Sequence, residues 1–126
     1  MTHLVLPWPP STNRYWRSVA GRVLISADGR QYRSQVARCA AQARTRCLVP
    51  PTPIIDRVSV SIAASPPDRR RRDLDNILKS LLDALTHAGV WLDDSQVDEL
   101  HVKRMAPATP GRVEIAIAAL DMRAAA

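Results

Sequence analysis

A predicted amphipathic helix in the second half of the chain is the feature that most constrains the fold. Between residues 74 and 88, apolar residues recur at steps of three and four and form one stripe: Leu74, Ile77, Leu78, Leu81, Leu82, Leu85 and Ala88. This spacing is typical of a helix that buries one face. Gly89 is placed to end the helix. Because only one side is apolar, the helix must pack against another layer of secondary structure.

The other segments predict a second helix and several strands. Residues 29–47 repeat apolar side chains at helical spacing, with Ser26 and Asp28 as candidate N-caps. Strand patterns occur in THLVLPW, RVLISAD, DRVSVSIAA, VDELHVKRM and GRVEIAIAAL, and a polar, basic loop, PPSTNRYWRSVAGR, follows the first. We therefore predict an α+β fold, with two main helices packed on a mixed β-sheet, in a single domain over residues 1–126. The last two strands are predicted to form a terminal hairpin, and residues 123–126 a frayed end.

The charge of the chain indicates an anionic partner. The formal net charge is +6, and all but two of the 18 basic residues are arginine. Arginine stays charged at any working pH and binds phosphate oxygens through a planar fork. Nucleic acid is the leading candidate, and a membrane surface or an acidic protein is the second. The alternative is that the positive charge has no binding role, serves only solubility, and reflects a genome whose codons favour arginine.

Membrane, secretory and cysteine-rich classes do not fit this sequence. No apolar run approaches the ~20 residues that a membrane-spanning helix needs. The N-terminus lacks a basic region followed by a long apolar segment. Cys39 and Cys47 are the only cysteines, and we interpret both as reduced thiols. We therefore expect a cytoplasmic protein that has no membrane partner and needs no small-molecule cofactor.

Four aspartates flank the predicted helix: Asp73 and Asp75 before it, Asp93 and Asp94 after it. Side chains two residues apart converge only if Asp73 lies in extended backbone ahead of the helix. The structural alternatives are that Asp73 caps the helix, that Asp75 interacts with its positive end, and that the later pair are solvated turn residues. Gathered carboxylates repel one another, so a cluster predicts a hard cation, and Mg²⁺ suits ligands that are all oxygen.

Basic residues adjoin these carboxylates in the sequence. Four arginines directly precede Asp73, and Lys79 follows Asp75 by one helical turn. Cleavage of a phosphodiester needs cations for the phosphate oxygens beside carboxylates that hold a metal ion. The alternative for Lys79 is a surface ion pair with Asp75. The predicted DNA-binding residues are Arg69, Arg70, Arg71, Arg72, Lys79, Asn13, Arg14, Arg17, Lys103, Arg104 and Arg112. Tyr15 and Trp16 either stack on exposed bases or pack the N-terminal loop.

The segment PDRRRRDLDNILKSLLDALTHAGVWLDDSQV resembles the RusA family of Holliday-junction resolvases, and so do LPWPPSTNRYWR and GRVEIAI. The resemblance covers nearly the whole chain. It implies three catalytic, magnesium-binding aspartates at Asp73, Asp75 and Asp94, a functional lysine at Lys79 and a DNA contact at Arg72. It also implies a RusA-like fold and an intimate homodimer that resolves four-way DNA junctions by paired symmetric nicks, in recombination and repair.

Two rival functions remain open at this point. One is a metal-dependent nuclease that also cuts flaps, forks or duplex DNA, and the other is a non-catalytic protein that binds branched DNA. A basic scaffold for acidic proteins leaves the placement of the aspartates unexplained.

The position of Asp94 raises a problem of distance. A helix over residues 76–88 is about 20 Å long, and the chain from Gly89 to Asp94 spans about 17 Å at most. If the helix has its full length, we expect Asp94 to reach Asp73 from the partner chain of a dimer.

Overall fold

The structure, a computed structural model, describes residues 1–120. The predicted domain end at Ala126 and the predicted frayed end at residues 123–126 lie outside the described residues. The strands are β1 (Thr2–Pro7), β2 (Trp16–Val19), β3 (Arg22–Ile25), β4 (Val58–Ser65), β5 (Val97–Arg104) and β6 (Arg112–Ala119). The helices are α1 (Thr12–Tyr15), α2 (Ala27–Thr45) and α3 (Leu78–His87). Short 3₁₀ turns at Leu74–Ile77 and Asp94–Gln96 precede α3 and β5.

A mixed sheet forms the centre of the fold, with its four strands in the order β1-β6-β4-β5. Strand β6 is antiparallel to β1 and to β4, whereas β4 and β5 are parallel. Alternate residues of β4 and β6 are buried on one face of the sheet, and they pack with buried residues of α2 and α3 in one core. The predicted α+β fold, with two main helices on a mixed sheet, is confirmed.

The predicted amphipathic helix is present, but its regular part is shorter than expected. The apolar stripe is buried at Ile77, Leu81, Ala84 and Leu85, and Gly89, at φ +74°, follows the helix as predicted. The first turn is 3₁₀ rather than α, so α3 has 10 residues and a length of about 15 Å. A tight 3₁₀ turn is common where the first N–H groups of a helix lack partners within it.

Two predictions about the connections were wrong. The predicted N-terminal loop contains α1 and β2, and β2 forms a two-stranded hairpin with β3, the strand predicted in RVLISAD. The last two strands do not form a hairpin, because β4 lies between β5 and β6. Helix α3 carries the chain from β4 to its parallel neighbour β5, as a parallel pair requires, and residues 105–111 then lead to β6 on the other side of β4.

The N-terminus of α2 resolves the choice between two predicted caps. The Ser26 hydroxyl accepts a hydrogen bond from the N–H of Gly29 at 3.0 Å, so Ser26 is the N-cap. Asp28 instead lies 3.8 Å from Arg14 in an exposed ion pair. Within residues 1–120, no helix combines the length and the apolar character needed to cross a membrane.

Candidate functional site

Most of the predicted DNA-binding residues lie at one end of the central sheet. We call residues 66–73, which follow β4, the arginine loop. Strand β5 ends beside this loop, where a guanidinium N–H of Arg104 donates to the carbonyl of Arg72 at 2.6 Å. Strand β6 begins at the same end, with Arg112 opposite Ser65. This end of the sheet therefore collects Arg69, Arg70, Arg71, Arg72, Lys103, Arg104 and Arg112.

A cleft of about 760 Å³ opens beside the arginine loop, and we call it the basic cleft. One wall is the loop, and the opposite walls are the start of α2 and the segment from Trp8 to α1. The predicted residues that line this cleft together are Arg14, Arg71, Arg72 and Asp73. Gln31 and Gln35 of α2 also line it and were not predicted, although their i,i+4 spacing places them on one helical face.

A second groove, of about 750 Å³, contains another part of the predicted site, and we call it the lysine groove. It brings together Asn13, Arg17 and Lys79, with Trp16 and Val23 as apolar walls. The hydroxyl of Thr12 donates to the carbonyl of Asn76 at 3.1 Å, which attaches α1 to the turn before α3. The two grooves thus flank this attachment, and α1 contributes residues to both.

The four arginines of the loop are not electrostatically equivalent. Arg72 forms an ion pair with Asp68, at 2.5 Å, and its guanidinium lies 6.0 Å from the centre of the Trp8 ring. The hydrogen bond from Arg72 is the largest cause that lowers the pKa of Asp68 to about 2. Arg70 lies 3.7 Å from the same carboxylate. Within residues 1–120, Arg69 and Arg71 have no acidic partner, so they are the cations most available to a bound phosphate.

The carboxylates of the three aspartates assigned by resemblance form no hydrogen bond or ion pair within the described part of their own chain. The acidic members of the arginine ion pairs within residues 1–120 are Asp28, Asp68, Asp83, Asp98 and Glu114. Asp73, Asp75 and Asp94 are exposed and take part in none of them. Asp73 lies in extended backbone before the turn, as predicted, but its carboxylate makes no capping hydrogen bond. The capping alternative for Asp73 is therefore wrong.

Asp93 differs from its neighbour, because it has a structural role. Its carboxylate accepts a hydrogen bond from the N–H of Ser95 at 3.1 Å. The side-chain oxygen of Gln96 accepts the N–H of Asp93 at 2.9 Å, which completes a capping box. The hydrogen bonds from Ser95 lower the pKa of the Asp93 carboxyl. Of these two adjacent residues, Asp93 is therefore a capping residue, whereas the Asp94 carboxylate forms no hydrogen bond or ion pair within residues 1–120.

Asp73 and Asp94 lie at opposite ends of the β4–β5 pair. The first residue of β5, Val97, pairs with the first residue of β4, and the last, Arg104, pairs near its end. Asp94 begins the 3₁₀ turn that leads into β5, whereas Asp73 belongs to the loop beside Arg104. The two residues are therefore separated by about 23 Å, the length of such a strand. Within residues 1–120, no three His, Cys, Asp or Glu side chains are grouped so that they could hold a metal ion. A single chain therefore does not bring the three aspartates together.

A polar network centred on Asp83 was not predicted from the sequence. The Asp83 carboxylate accepts hydrogen bonds from the Tyr15 hydroxyl and, at 2.8 and 3.0 Å, from the Arg33 guanidinium. The network joins α1, α2 and α3. Burial, and then the hydrogen bond to Asp83, raises the pKa of Tyr15 above its ordinary value. Tyr15 is 0% exposed, so it packs the loop and cannot stack on a base. Trp16 is half-buried, and its ring packs edge-to-face against the Tyr15 ring.

We expect Asp83→Ala to destabilise the fold, because it leaves a buried hydroxyl and a guanidinium without their acceptor. Asp83 and Arg33 are only 27% and 22% exposed, and removing one member of such a pair costs about 3 kcal/mol. Urea denaturation measures this loss of unfolding free energy. The matched control is Glu114→Ala, which breaks an exposed pair and should cost about 0–1 kcal/mol. Equal losses in the two variants would contradict the assigned role of the network.

The fold and the site define a small α+β protein that combines a basic cleft with exposed carboxylates, which is the composition of a nucleic-acid-processing site. The family model described as "Endodeoxyribonuclease RusA" matches residues 7–118, and the chain belongs to this family.

Curated relatives agree with this assignment. The chain is 47% identical over 116 residues to the crossover junction endodeoxyribonuclease RusA of Enterobacteria phage 82, which covers 91% of this chain and 92% of the relative. It is 47% identical over 115 residues to the protein of the same name from Escherichia coli strain K12, with 90% and 91% covered. The relative from Shigella sonnei strain Ss046 has the same identity and coverage.

Proposed function

We propose that this protein is a magnesium-dependent, structure-selective endodeoxyribonuclease that resolves four-way DNA junctions by paired symmetric nicks. Its near-full-length relatives carry the name crossover junction endodeoxyribonuclease. The observation that carries the proposal is the exposed, unpaired carboxylate of Asp73 in the same cleft as Arg71 and Arg72. A metal-dependent phosphodiesterase uses this combination, since cations hold the phosphate and carboxylates hold the metal ion.

We assign DNA binding to the basic end of the sheet and to the two grooves. Arg69 and Arg71, which lack acidic partners within residues 1–120, bind phosphate oxygens directly. Arg72 is oriented by Asp68 and Trp8, so it presents its guanidinium from a fixed position. The lysine groove places Asn13 and Arg17 beside Lys79. In this arrangement Lys79 contacts the phosphate that is cut, and Trp16 provides an apolar wall for a neighbouring nucleotide.

We assign the metal site to Asp73 and Asp75 of one chain together with Asp94 of a second copy. Exposed carboxylates without protein partners are ligands that suit Mg²⁺. The distance between the ends of the β4–β5 pair supports a contribution from the second copy, so the active form is a homodimer. When bound, Mg²⁺ supplies Lewis-acid stabilisation of the phosphate charge and a lowered pKa for a coordinated water. The arginines hold the strand in place beside these carboxylates.

We place the protein in the cytoplasm, in recombination and repair of DNA. Cys39 and Cys47 are free thiols in the described chain, which is compatible with a reducing compartment.

Cleavage of a synthetic mobile four-way junction, with and without Mg²⁺, tests the proposed function. We expect nicks at symmetric positions on opposed strands only when Mg²⁺ is present, and little cutting of the component duplexes. Comparable cutting of duplexes, flaps and junctions would instead indicate a nuclease of broad specificity. Junction binding without any nicking in Mg²⁺ would indicate a non-catalytic DNA-binding protein.

A further inference from the structure

We propose that the outer side of helix α2 docks into the major groove of one junction arm, where Gln31 and Gln35 hydrogen-bond to the edges of bases. The inference rests on the proposed function, because it specifies how this protein distinguishes one junction sequence from another. Residues spaced three and four apart share one side of a helix. We call the solvent-accessible set formed in this way the α2 face, and its members are Gln31, Ser34, Gln35 and Arg38.

The α2 face carries hydrogen-bonding groups and positive charge but no carboxylate. The opposite side of the helix is buried in the core, at Tyr32, Val36 and Ala40. Of the 12 acidic residues in the chain, only Asp28 belongs to α2, and it lies beside Arg14. A helix face that only contacts water gains from pairs of opposite charge, and this face has none. A surface without acidic groups instead suits the phosphates that border a DNA groove.

The side-chain amides of Gln31 and Gln35 are free to bind another molecule. Within residues 1–120 neither amide forms a hydrogen bond, whereas the hydroxyl of Tyr32, which also lines the cleft, donates to the carbonyl of Pro7 at 2.8 Å. An amide offers a donor and an acceptor together. It therefore matches the N7 and N6 groups of adenine at two atoms, and its N–H groups can donate to the N7 acceptor of either purine.

The position of the two glutamines relative to the arginine loop fits one arm of a junction. Gln31 and Gln35 line the basic cleft on the wall opposite Arg71 and Asp73. When phosphates of the arm are held at the arginine loop, the edges of its bases face α2. A major groove about 12 Å wide admits an α-helix. Arg38, three residues after Gln35, is then placed to bind a phosphate at the border of the groove.

Binding to a pool of four-way junctions, randomised over the base pairs next to the branch point, tests this recognition. The full-length protein is used without Mg²⁺, so the result does not depend on cleavage, and the bound sequences are counted. We expect a preference at one or two base pairs. The double variant Gln31→Ala, Gln35→Ala should reduce that preference about fivefold or more. No preference in the unsubstituted protein, or an undiminished preference in the double variant, would overturn the proposal.

Gln42→Ala is the matched control, since Gln42 is the same residue type on the same helix. It lies outside the basic cleft and lines a different cavity of about 320 Å³, with His3 and Glu114. We expect the sequence preference of this variant to equal that of the unsubstituted protein. An equal loss of preference in the Gln42 and the Gln31, Gln35 variants would show that the cleft is not where bases are recognised.

A purine analogue identifies the atom that is contacted. Each base pair contains one purine, and the 7-deaza analogue replaces its N7 acceptor without changing base pairing. At the preferred base pair, we expect this analogue to weaken binding by the unsubstituted protein about fivefold. It should not weaken binding by the double variant further, because the contact is already lost. An equal loss with both proteins would contradict recognition by the two glutamines.

Arg38→Ala separates phosphate binding from base recognition on the same face. Within residues 1–120 Arg38 forms no ion pair, so its removal breaks none there. Loss of one phosphate contact weakens binding to all sequences and lowers the slope of affinity against salt concentration by about 1, in logarithmic terms. The sequence preference should be unchanged. An unchanged slope would contradict docking of the α2 face on DNA.

The two proposals fail in different ways. If the protein resolves junctions but its sequence preference does not depend on Gln31 and Gln35, the role of the α2 face is wrong and the proposed function stands. If the preference depends on these residues and on purine N7 but no junction is cut in Mg²⁺, the α2 face recognises DNA and the proposed nuclease function is wrong.

Discussion

Replacing Asp73, Asp75 or Asp94 by asparagine is expected to abolish magnesium-dependent cleavage of a four-way junction without loss of junction binding. Each change removes one of the charged oxygens that hold the ion but leaves the arginines that hold the DNA. We expect the cleavage rate to fall on the order of 10²–10³-fold or more. Binding should be unchanged or tighter, because a negative charge beside the phosphates is lost. Single-turnover cleavage and gel-shift titration of the same junction measure the two effects.

Asp93→Asn is the matched control for Asp94→Asn, since the two carboxylates are adjacent in the chain. Asp93 caps the turn before β5 through Ser95, and asparagine is also a good capping residue. We therefore expect nearly normal cleavage from this variant. A purified, folded Asp94→Asn protein that still nicks the junction at the wild-type rate would remove Asp94 from the site, and the same holds for Asp73 and Asp75.

Mixing two inactive variants is expected to restore cleavage if the sites are shared between chains. In a mixed dimer of Asp73→Asn and Asp94→Asn chains, one of the two sites regains Asp73, Asp75 and Asp94, and the other loses two of them. The restored product should be a junction nicked on one strand rather than a resolved junction. The expectation follows from the structure, because Asp73 and Asp94 lie at opposite ends of the β4–β5 pair.

The control for this experiment is a mixture of Asp73→Asn and Asp75→Asn chains. These residues belong to the same segment of one chain, so neither site in the mixed dimer is complete and no cleavage should return. Exchange of subunits must be demonstrated independently, for example with chains of different mass. Demonstrated exchange without recovery in the Asp73 and Asp94 mixture would show that each site is built within one chain.

Elements with a strong local period were predictable from the sequence. The apolar stripe of α3 and the alternation in β4 and β6 appear as expected, since each depends only on which side of a helix or strand is buried. The extended backbone of Asp73, ahead of the turn, also followed from local pattern. The order of the strands did not, because alternation specifies a buried face and not a neighbouring strand. For this reason the sequence predicts a hairpin of β5 and β6, whereas in the structure β4 lies between them.

The sequence by itself determined the fold class, the family resemblance and the residue types of the candidate site, since each is encoded in local spacing and in one long motif. Only the tertiary structure decided which charges are free. Asp68 engages Arg72, and Asp83 engages Arg33 and Tyr15; the second of these contacts joins residues far apart in the chain. The structure also separated Asp73 from Asp94 by the length of a strand, because the direction of β5 is set by its pairing with β4 and not by its own residues.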